Sequence, residues 1–211
     1  MKINKLIIIG FITAFALGWE WPWSSSSETK NGQSIELPKG IFSILDDQSN
    51  IIWKGQKAIG GSHTGNLKIK NAEIKIDRRG RISGIITLDM NTINCTDLEG
   101  EWKQKLEGHL KSDDFFDVKK FSESRIEFQS VNRIENLVEF DAYLTIKNMS
   151  HPISFNANLL ESKGTIIASS SLVFDRSKYD IKYGSGTFFE NLGDNLILDE
   201  INIDVNLVIN K

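Results

Sequence analysis

The sequence predicts an all-β fold, an antiparallel β-barrel of about eight strands with one short amphipathic helix packed over an end. Three observations support this prediction. Apolar and polar residues alternate with a period of two through most of the chain after residue 40. Short turn sequences separate the alternating segments, and such links favour antiparallel neighbours, because parallel pairing needs a crossover of about a dozen residues or more. One interruption, at residues 96–111, has an apolar spacing of four instead.

The first 39 residues differ in composition from the rest of the chain. Lys2 and Lys5 precede an uncharged and mostly apolar stretch over residues 6–18. This arrangement is typical of a secretory signal peptide, and the stretch is shorter than the roughly 20 residues that a membrane-spanning helix needs. We predict a signal peptide over 1–18, a Ser-rich flexible tether over 19–39 and one barrel domain over 40–211. An uncleaved N-terminal anchor is the alternative for the first segment.

The strands are predicted from their alternation. In residues 201–209 every second residue is Ile, Val or Leu, and Asn, Asp and Val lie between them. Residues 138–146 and 153–159 repeat this pattern. The other candidates are 40–45, 50–53, 67–76, 82–90, 125–131 and 165–174. Strands that are apolar on one face must close into a barrel or pack as two sheets. We predict the barrel, since ~8 strands leave an interior wide enough for side chains or one small ligand.

The helix is predicted from its start signal and its spacing. Thr96 and Glu99 have the spacing of a capping box. Apolar residues then recur every four positions, at Leu98, Trp102, Leu106 and Leu110. These features predict an amphipathic helix over 97–111 that is held by packing on the barrel, because a helix of this length hardly forms alone. Ser112 and two aspartates end it. Phe115 and Phe116 then return inward, either as a plug that seals the core or as aromatics at the mouth of a tunnel.

Charge and residue usage exclude several kinds of partner and site. The formal net charge of −3 gives no electrostatic reason to expect nucleic acid as a partner. The single cysteine, Cys95, excludes an intramolecular disulfide, and we interpret it as a small strand-end residue because no histidine is near it in sequence. His63, His109 and His151 lack the short spacing of metal ligands. The aspartates within 113–117 are interpreted as solvated caps. We predict no metal, no cofactor and no catalytic residue.

Five segments resemble motifs of the YceI-like proteins and occur in the order of that family. They are WKGQKAIGGSHTGNLKI at 53–69, MNTINCTDLEG at 90–100, GHLKSDDFFDVKKF at 108–121 with RIEFQS at 125–130, YLTIKNMSHPISFNA at 143–157 and FDRSKYDIKYGS at 174–185. Two departures alter turns only: Ser122 replaces a proline, and Asn148 with Met149 replaces a glycine. The resemblance implies a secreted or periplasmic protein with a lipocalin-like barrel. It also implies an apolar tunnel that binds polyisoprenoids, quinones or other long amphiphiles without catalysis.

The predicted ligand contacts are the apolar side chains expected inside the barrel and near its opening. The interior candidates are Ile86, Leu88, Met90, Phe128, Phe140, Leu144, Ile153 and Phe155, and those near an opening are Trp102, Phe115, Phe116 and Phe189. For each of them the alternative is a residue that only fills a core, and residue type does not decide between the two. Asp175 and Arg176 are predicted to form an ion pair or a turn, with Arg176 facing an anionic headgroup if it lies at the mouth.

The predicted function is that of an exported, periplasmic or secreted protein that holds a long-chain isoprenoid, an isoprenoid quinone or a related lipid in its barrel. Transient membrane contact and oligomerisation are left open. The first alternative is a ligand-free barrel that docks a protein partner at the cell envelope. The second is an enzyme acting on a lipid, which would need convergent polar groups inside the barrel.

Overall fold

The structure is a computed structural model that describes residues 34–210. The predicted signal peptide and most of the predicted tether lie outside the described residues, so that division of the chain stays a prediction. The strands and the helix are β1 (Gly40–Phe42), β2 (Asn50–Gln56), β3 (Ser62–Ile76), β4 (Ile82–Cys95), α1 (Gly100–Lys111), β5 (Glu123–Ile134), β6 (Leu137–Ile146), β7 (Met149–Ser162), β8 (Thr165–Asp175) and β9 (Glu200–Asn210). Two short 3-10 helices, Arg176–Tyr179 and Gly193–Asn195, lie between β8 and β9.

Eight of these strands close an antiparallel barrel, which confirms the predicted fold. The order around the barrel is β2, β9, β8, β7, β6, β5, β4 and β3, and β3 pairs again with β2. β1 pairs with the part of β3 that extends beyond its pairing with β2, with Gly40 opposite Ile76 and Phe42 opposite Ile74. Each barrel strand therefore has a neighbour on both sides, and closure removes the exposed edges that would otherwise invite pairing with another chain.

The two ends of the barrel are built differently. At the hairpin end, short turns join β3 to β4, β5 to β6 and β7 to β8. At the helical end lie α1 and the long connection between β8 and β9. The segment from Ile35 to Leu45 covers the hairpin end: the Ile35 N–H donates to Asn136 Oδ1 at 2.8 Å, and Arg133 Nη2 donates to the Ile35 carbonyl at 2.6 Å. Ile35 and Leu37, from the segment predicted as a tether, pack against the core.

The turn between β6 and β7 explains one departure from the family pattern. Lys147 and Asn148 have φ values of 50° and 60°, so both adopt the left-handed conformation. A two-residue hairpin of this kind usually contains glycine, but asparagine tolerates the left-handed region better than other residues with a side chain. Asn148 therefore keeps the tight hairpin without glycine.

The start of α1 differs from the prediction. The helix begins at Gly100, and the side chain of its N-cap residue Glu99 makes no capping hydrogen bond, so the predicted capping box is wrong. Asp97 instead accepts the backbone N–H of Thr64 at 3.2 Å. The predicted end is confirmed, because both the N–H and the hydroxyl of Ser112 donate to the carbonyl of His109.

The face that α1 turns to the barrel also differs from the prediction. Trp102 is 71% exposed, and the Lys105 ammonium lies 4.9 Å from its ring centroid, so the predicted apolar stripe is wrong at this residue. Lys103 Nζ donates to Asn94 Oδ1 at 2.8 Å, and Glu107 Oε1 accepts the N–H of Cys95 at 2.9 Å. Polar contacts to the end of β4 thus help to hold a helix that buries few apolar side chains. Within residues 34–210, no helix is both long and apolar enough to cross a membrane.

Candidate ligand cavity

A cavity of about 820 Å³ lies inside the barrel and extends from the helical end toward the hairpin end. Its volume is within the range of about 300 to 1,000 Å³ that is common for small-molecule sites. Near the hairpin end the wall includes the buried residues Ile76, Ile82 and Ile166. Near the helical end the wall includes exposed residues such as Ile59 and Tyr183. The cavity therefore opens at the helical end and is closed at the hairpin end.

Nine of the twelve residues predicted to contact a ligand line this cavity. They are Ile86, Leu88, Met90, Phe115, Phe116, Phe128, Phe140, Leu144 and Phe155. Strands β4 to β7 and the segment after α1 bring them together, because alternating side chains of each strand point inward. Contact between these residues and a ligand stays a prediction.

The other three predicted residues lie outside the cavity wall. Trp102 projects from the exposed face of α1. Phe189, in the connection between β8 and β9, is 49% exposed. Ile153 is half-buried in β7 opposite Ala142 and does not line the cavity. A ligand held within this cavity would not contact these three side chains.

Three phenylalanines form an aromatic cluster in the wall. The ring centroids of Phe128 and Phe140 are 5.4 Å apart in a T-shaped arrangement, and those of Phe140 and Phe155 are 5.2 Å apart and stacked. Contacts of this kind are favourable beyond the burial of their area. The cluster therefore gives the cavity an aromatic wall in which the rings contact one another.

A second aromatic cluster lies at the open end. The ring of His109 meets Phe115 at 4.9 Å and Tyr183 at 4.5 Å, both edge to face. His109 Nε2 is also 3.1 Å from Asp114 Oδ2. These contacts join the end of α1 to the connection between β8 and β9. A change in the position of either segment would alter the width of the opening.

Arg176 is a wall residue whose polar atoms are directed into the protein. It is 2% exposed, and its guanidinium donates to the carbonyls of four residues in the connection between β8 and β9 at 2.9 to 3.2 Å. Those residues are Ile181, Tyr183, Ile197 and Leu198. Its Nη2 also lies 3.1 Å from Asp199 Oδ1, without the alignment of a good hydrogen bond. Burial lowers the pKa of Arg176, while Asp199 and Asp175 oppose that shift.

This geometry corrects the prediction for residues 175 and 176. Asp175 caps the 3-10 helix by accepting the N–H of Ser177 at 2.9 Å, so the predicted turn is confirmed. The ion-pair partner of Arg176 is Asp199 instead of Asp175. Because the guanidinium donates to four backbone carbonyls and forms an ion pair with Asp199, its polar atoms are directed at the protein, and the headgroup interpretation of Arg176 is not supported.

Sequence reasoning missed part of the cavity wall. The missed residues include Trp53, Leu172, Phe174, Tyr183, Ile197 and Ile201. Trp53 pairs with Gly65 across β2 and β3, and a Cβ at Gly65 would come within 2.4 Å of the indole ring. A tryptophan directly opposite a glycine could have indicated this position, because the glycine leaves room for the ring to lie over the neighbouring strand.

Most polar wall residues gather at the helical end. They include Gln56, Lys57, His63, His109, Asp194 and Asn195. Basic, acidic and neutral groups are mixed there, so the opening has no single strong charge. The long interior behind them is lined mainly by aliphatic and aromatic side chains. The arrangement matches an amphiphilic molecule whose apolar part enters first.

Cys95, at the end of β4, has polar neighbours in space that its sequence context did not indicate. It is 0% exposed, and its Sγ lies 3.0 Å from Asp97 Oδ1. His63 Nδ1 lies 3.1 Å from Asp97 Oδ2. Burial and the hydrogen bond to Asp97 raise the pKa of the Cys95 thiol, so the thiol is protonated at neutral pH and is not activated as a nucleophile.

Solved structures share this architecture at low sequence identity. Burkholderia cenocepacia BcnA matches with a TM-score of 0.65 and 18% identity, over 78% of this chain and 98% of that chain. A polyisoprenoid binding domain from Saccharophagus degradans, described as implicated in plant cell wall breakdown, matches with a TM-score of 0.60 and 17% identity, over 80% and 97% of the two chains. The Campylobacter jejuni YCEI protein matches with a TM-score of 0.51 and 18% identity, over 89% and 95%. These similarities establish the fold alone.

A comparison with curated proteins found no significant match. A family model nevertheless establishes the relationship by sequence. The model of the YceI-like domain matches residues 42–209, which include every strand that closes the barrel except for the last residue of β9. The chain therefore belongs to the YceI-like family.

Proposed function

We propose that this protein binds a long, mostly apolar molecule of the polyisoprenoid or isoprenoid-quinone class inside its barrel and does so without catalysis. The observation that carries this proposal is the apolar cavity of about 820 Å³ that opens only at the helical end of the described barrel. The description of the Saccharophagus degradans relative as a polyisoprenoid binding domain supports the same class of ligand.

Energetic considerations favour a long chain over a short ligand. Burial of each methylene contributes roughly 0.8 kcal/mol. Association costs on the order of 4 to 15 kcal/mol in lost translational and rotational freedom. About ten buried methylene or methyl groups, worth ~8 kcal/mol, are thus needed before net affinity becomes substantial. An elongated apolar cavity supplies that burial, whereas the mixed polar groups at the opening offer few strong contacts.

The same geometry suggests how the ligand is exchanged. Exposed apolar side chains, among them Ile59, Phe188 and Phe189, belong to the connections at the helical end. Such side chains favour a transient contact with a membrane surface. We propose that the opening faces the membrane during exchange and that α1 and the Phe115–Phe116 segment move aside. Export by the predicted signal peptide would bring the protein to that surface.

Two other functions receive less support. A ligand-free docking module is expected to have a filled barrel, whereas this barrel encloses a large cavity. A lipid-modifying enzyme is expected to have polar groups that converge inside the barrel, whereas most polar wall residues gather at the opening.

The proposal predicts that affinity depends on chain length. Polyprenols of increasing length would be titrated into delipidated protein by isothermal calorimetry. We expect Kd to fall by about tenfold or more for each added isoprene unit, because each unit buries several carbon atoms and 1.4 kcal/mol corresponds to a factor of ten. A plateau should appear once the cavity is full. An affinity that is independent of chain length would contradict binding inside the barrel.

A further inference from the structure

The register between β3 and β4 brings a histidine, a cysteine and an aspartate together at the helical end. Gly65 lies opposite Cys95, so His63 reaches the residues that follow the end of β4. Asp97 bridges the other two side chains, with one carboxylate oxygen 3.0 Å from Cys95 Sγ and the other 3.1 Å from His63 Nδ1. One ligating atom from each of the three residues lies within 4.8 Å of the other two.

The three donor atoms differ in chemical type in a way that selects among metals. A thiolate is a soft ligand, an imidazole is intermediate and a carboxylate is hard. Zn²⁺ accepts all three, and sites with three protein ligands leave a fourth position for water or another ligand. Mg²⁺ and Ca²⁺ prefer oxygen donors throughout, so a buried sulfur argues against them. Zn²⁺ is therefore the ion that suits this donor set.

The surroundings hold the three residues in place and leave one side accessible. The Cys95 N–H donates to Glu107 Oε1 at 2.9 Å, and the Thr96 N–H donates to the Thr64 carbonyl at 2.9 Å. The cysteine is fully buried, whereas the side chains of His63 and Asp97 are 45% and 32% exposed. An ion can thus approach from solvent and meet the sulfur at the base of the site. His63 and Cys95 lie on paired strands, and the Thr64 N–H donates to Asp97, so the three ligands need little reorganisation to bind.

We propose that His63, Cys95 and Asp97 form a zinc-binding site beside the opening of the barrel. On binding, Zn²⁺ replaces the hydrogen bonds of the Cys95–Asp97–His63 chain, the thiol proton passes to solvent, and water completes the coordination. No change of oxidation state is involved. His63 is also a residue of the cavity wall, so the ion lies next to the path of the proposed ligand. The site stands independently of lipid binding.

The structural alternative is a hydrogen-bond chain that only fixes the ends of two strands. The described part of the chain offers a matched comparison, because His109 and Asp114 form a histidine–carboxylate pair at the same distance, 3.1 Å, with no cysteine beside it. If the thiol is what makes a metal site, the His63–Asp97 pair beside Cys95 should bind zinc tightly. The His109–Asp114 pair should not.

Cobalt substitution tests the site directly. Full-length protein would be stripped with a chelator and titrated with Co²⁺, whose thiolate complexes give a charge-transfer absorption band. Zn²⁺ affinity would be measured by competition with a chromophoric chelator. We expect one ion per chain, a thiolate band in the wild type, and a loss of affinity of at least about 100-fold in Cys95→Ser, since thiolate ligands carry much of zinc affinity. His63→Ala and Asp97→Asn should each lower the affinity by at least about tenfold.

The control variant is His109→Ala, which should retain wild-type zinc affinity. Circular dichroism would confirm that all variants are folded. Absence of a thiolate band in the wild type would overturn the proposal without any variant. So would a Cys95→Ser variant with unchanged affinity, or a His109→Ala variant that loses as much affinity as His63→Ala. None of these outcomes bears on polyprenol binding, which is measured separately.

Discussion

Replacing Ala168 with tryptophan is expected to abolish binding of long polyprenols while the barrel remains folded. Ala168 lies in the cavity wall on β8, between Leu159 of β7 and Leu207 of β9, which also line the cavity. A tryptophan at this position extends into the cavity that the ligand should occupy. Large substitutions in a closely packed core cause strain, but this one has empty space beside it. We expect at least about a 100-fold loss of affinity, because losing some four buried methylenes already removes ~3 kcal/mol.

A neighbouring position supplies the control for this prediction. Ser169 is the next residue along β8, is exposed, and donates to Asn206 Oδ1 on the outer surface. Ser169→Trp adds the same side chain outside the barrel and should retain wild-type affinity in the calorimetric titration. Both variants should unfold within a few degrees of the wild type. If Ala168→Trp is folded and binds polyprenols as tightly as Ser169→Trp, the ligand does not occupy the cavity.

Replacing Arg176 with methionine is expected to destabilise the protein severely. Methionine fills much of the same volume but cannot donate to the carbonyls that accept hydrogen bonds from Arg176. It also leaves Asp199 without its ion-pair partner. Removing one member of a buried ion pair costs about 3 to 5 kcal/mol, and the unpaired carbonyls add to this. Against a typical stability of about 5 to 15 kcal/mol, such a loss should lower Tm by roughly 10 °C or more.

A double-mutant cycle separates the ion pair from the carbonyl contacts. Thermal and chemical unfolding would be measured for Arg176→Met, Asp199→Asn and the double variant. The double variant should be less destabilised than the sum of the single variants, because Asp199→Asn removes the charge that Arg176→Met leaves unpaired. Arg176→Lys should be intermediate, since an ammonium keeps the charge but cannot serve the same set of carbonyls. A stability of Arg176→Met within about 1 kcal/mol of the wild type would contradict this account.

The alternation of apolar residues predicted the strands, and the number of strands favoured a barrel over two packed sheets, but neither gave the details of the register. In β3 the inward residues are Leu67 and Ile69 in one phase and Ile74 and Ile76 in the other. The pairing with β4 is irregular between Ile69 and Asn71, and that irregularity restores the inward direction of the later isoleucines. The change of phase in β3 is visible in the sequence. The residues of β4 that lie opposite the irregularity are not.

The helix was predicted less accurately because spacing alone does not specify which face is buried. Leu98 precedes α1, and Trp102 points to solvent. Lys103 and Glu107 instead make hydrogen bonds to the end of β4. A hydrophobic period of four residues was therefore present, but specific polar contacts with the neighbouring strand determined the orientation of the helix.

The histidine beside Cys95 could not be found from sequence proximity. His63 and Cys95 are 32 positions apart and meet only because β3 and β4 pair with Gly65 opposite Cys95. The resemblance to the YceI-like proteins implied a cavity, but the residue pattern did not show the space that Ala157 and Ala168 leave and that larger inward residues would have filled. Residue type alone fits both a filled core and an open cavity, and only the packing distinguishes them.

The central claim is that the barrel holds a long-chain lipid, and native mass spectrometry tests it most directly. The full-length gene would be expressed in a bacterial host and the exported protein isolated without detergent. We predict one lipid per chain, which organic extraction identifies as a polyisoprenoid or isoprenoid quinone and which is absent from Ala168→Trp. A homogeneous mass without bound lipid, together with no thermal shift on adding polyprenols, would contradict the claim.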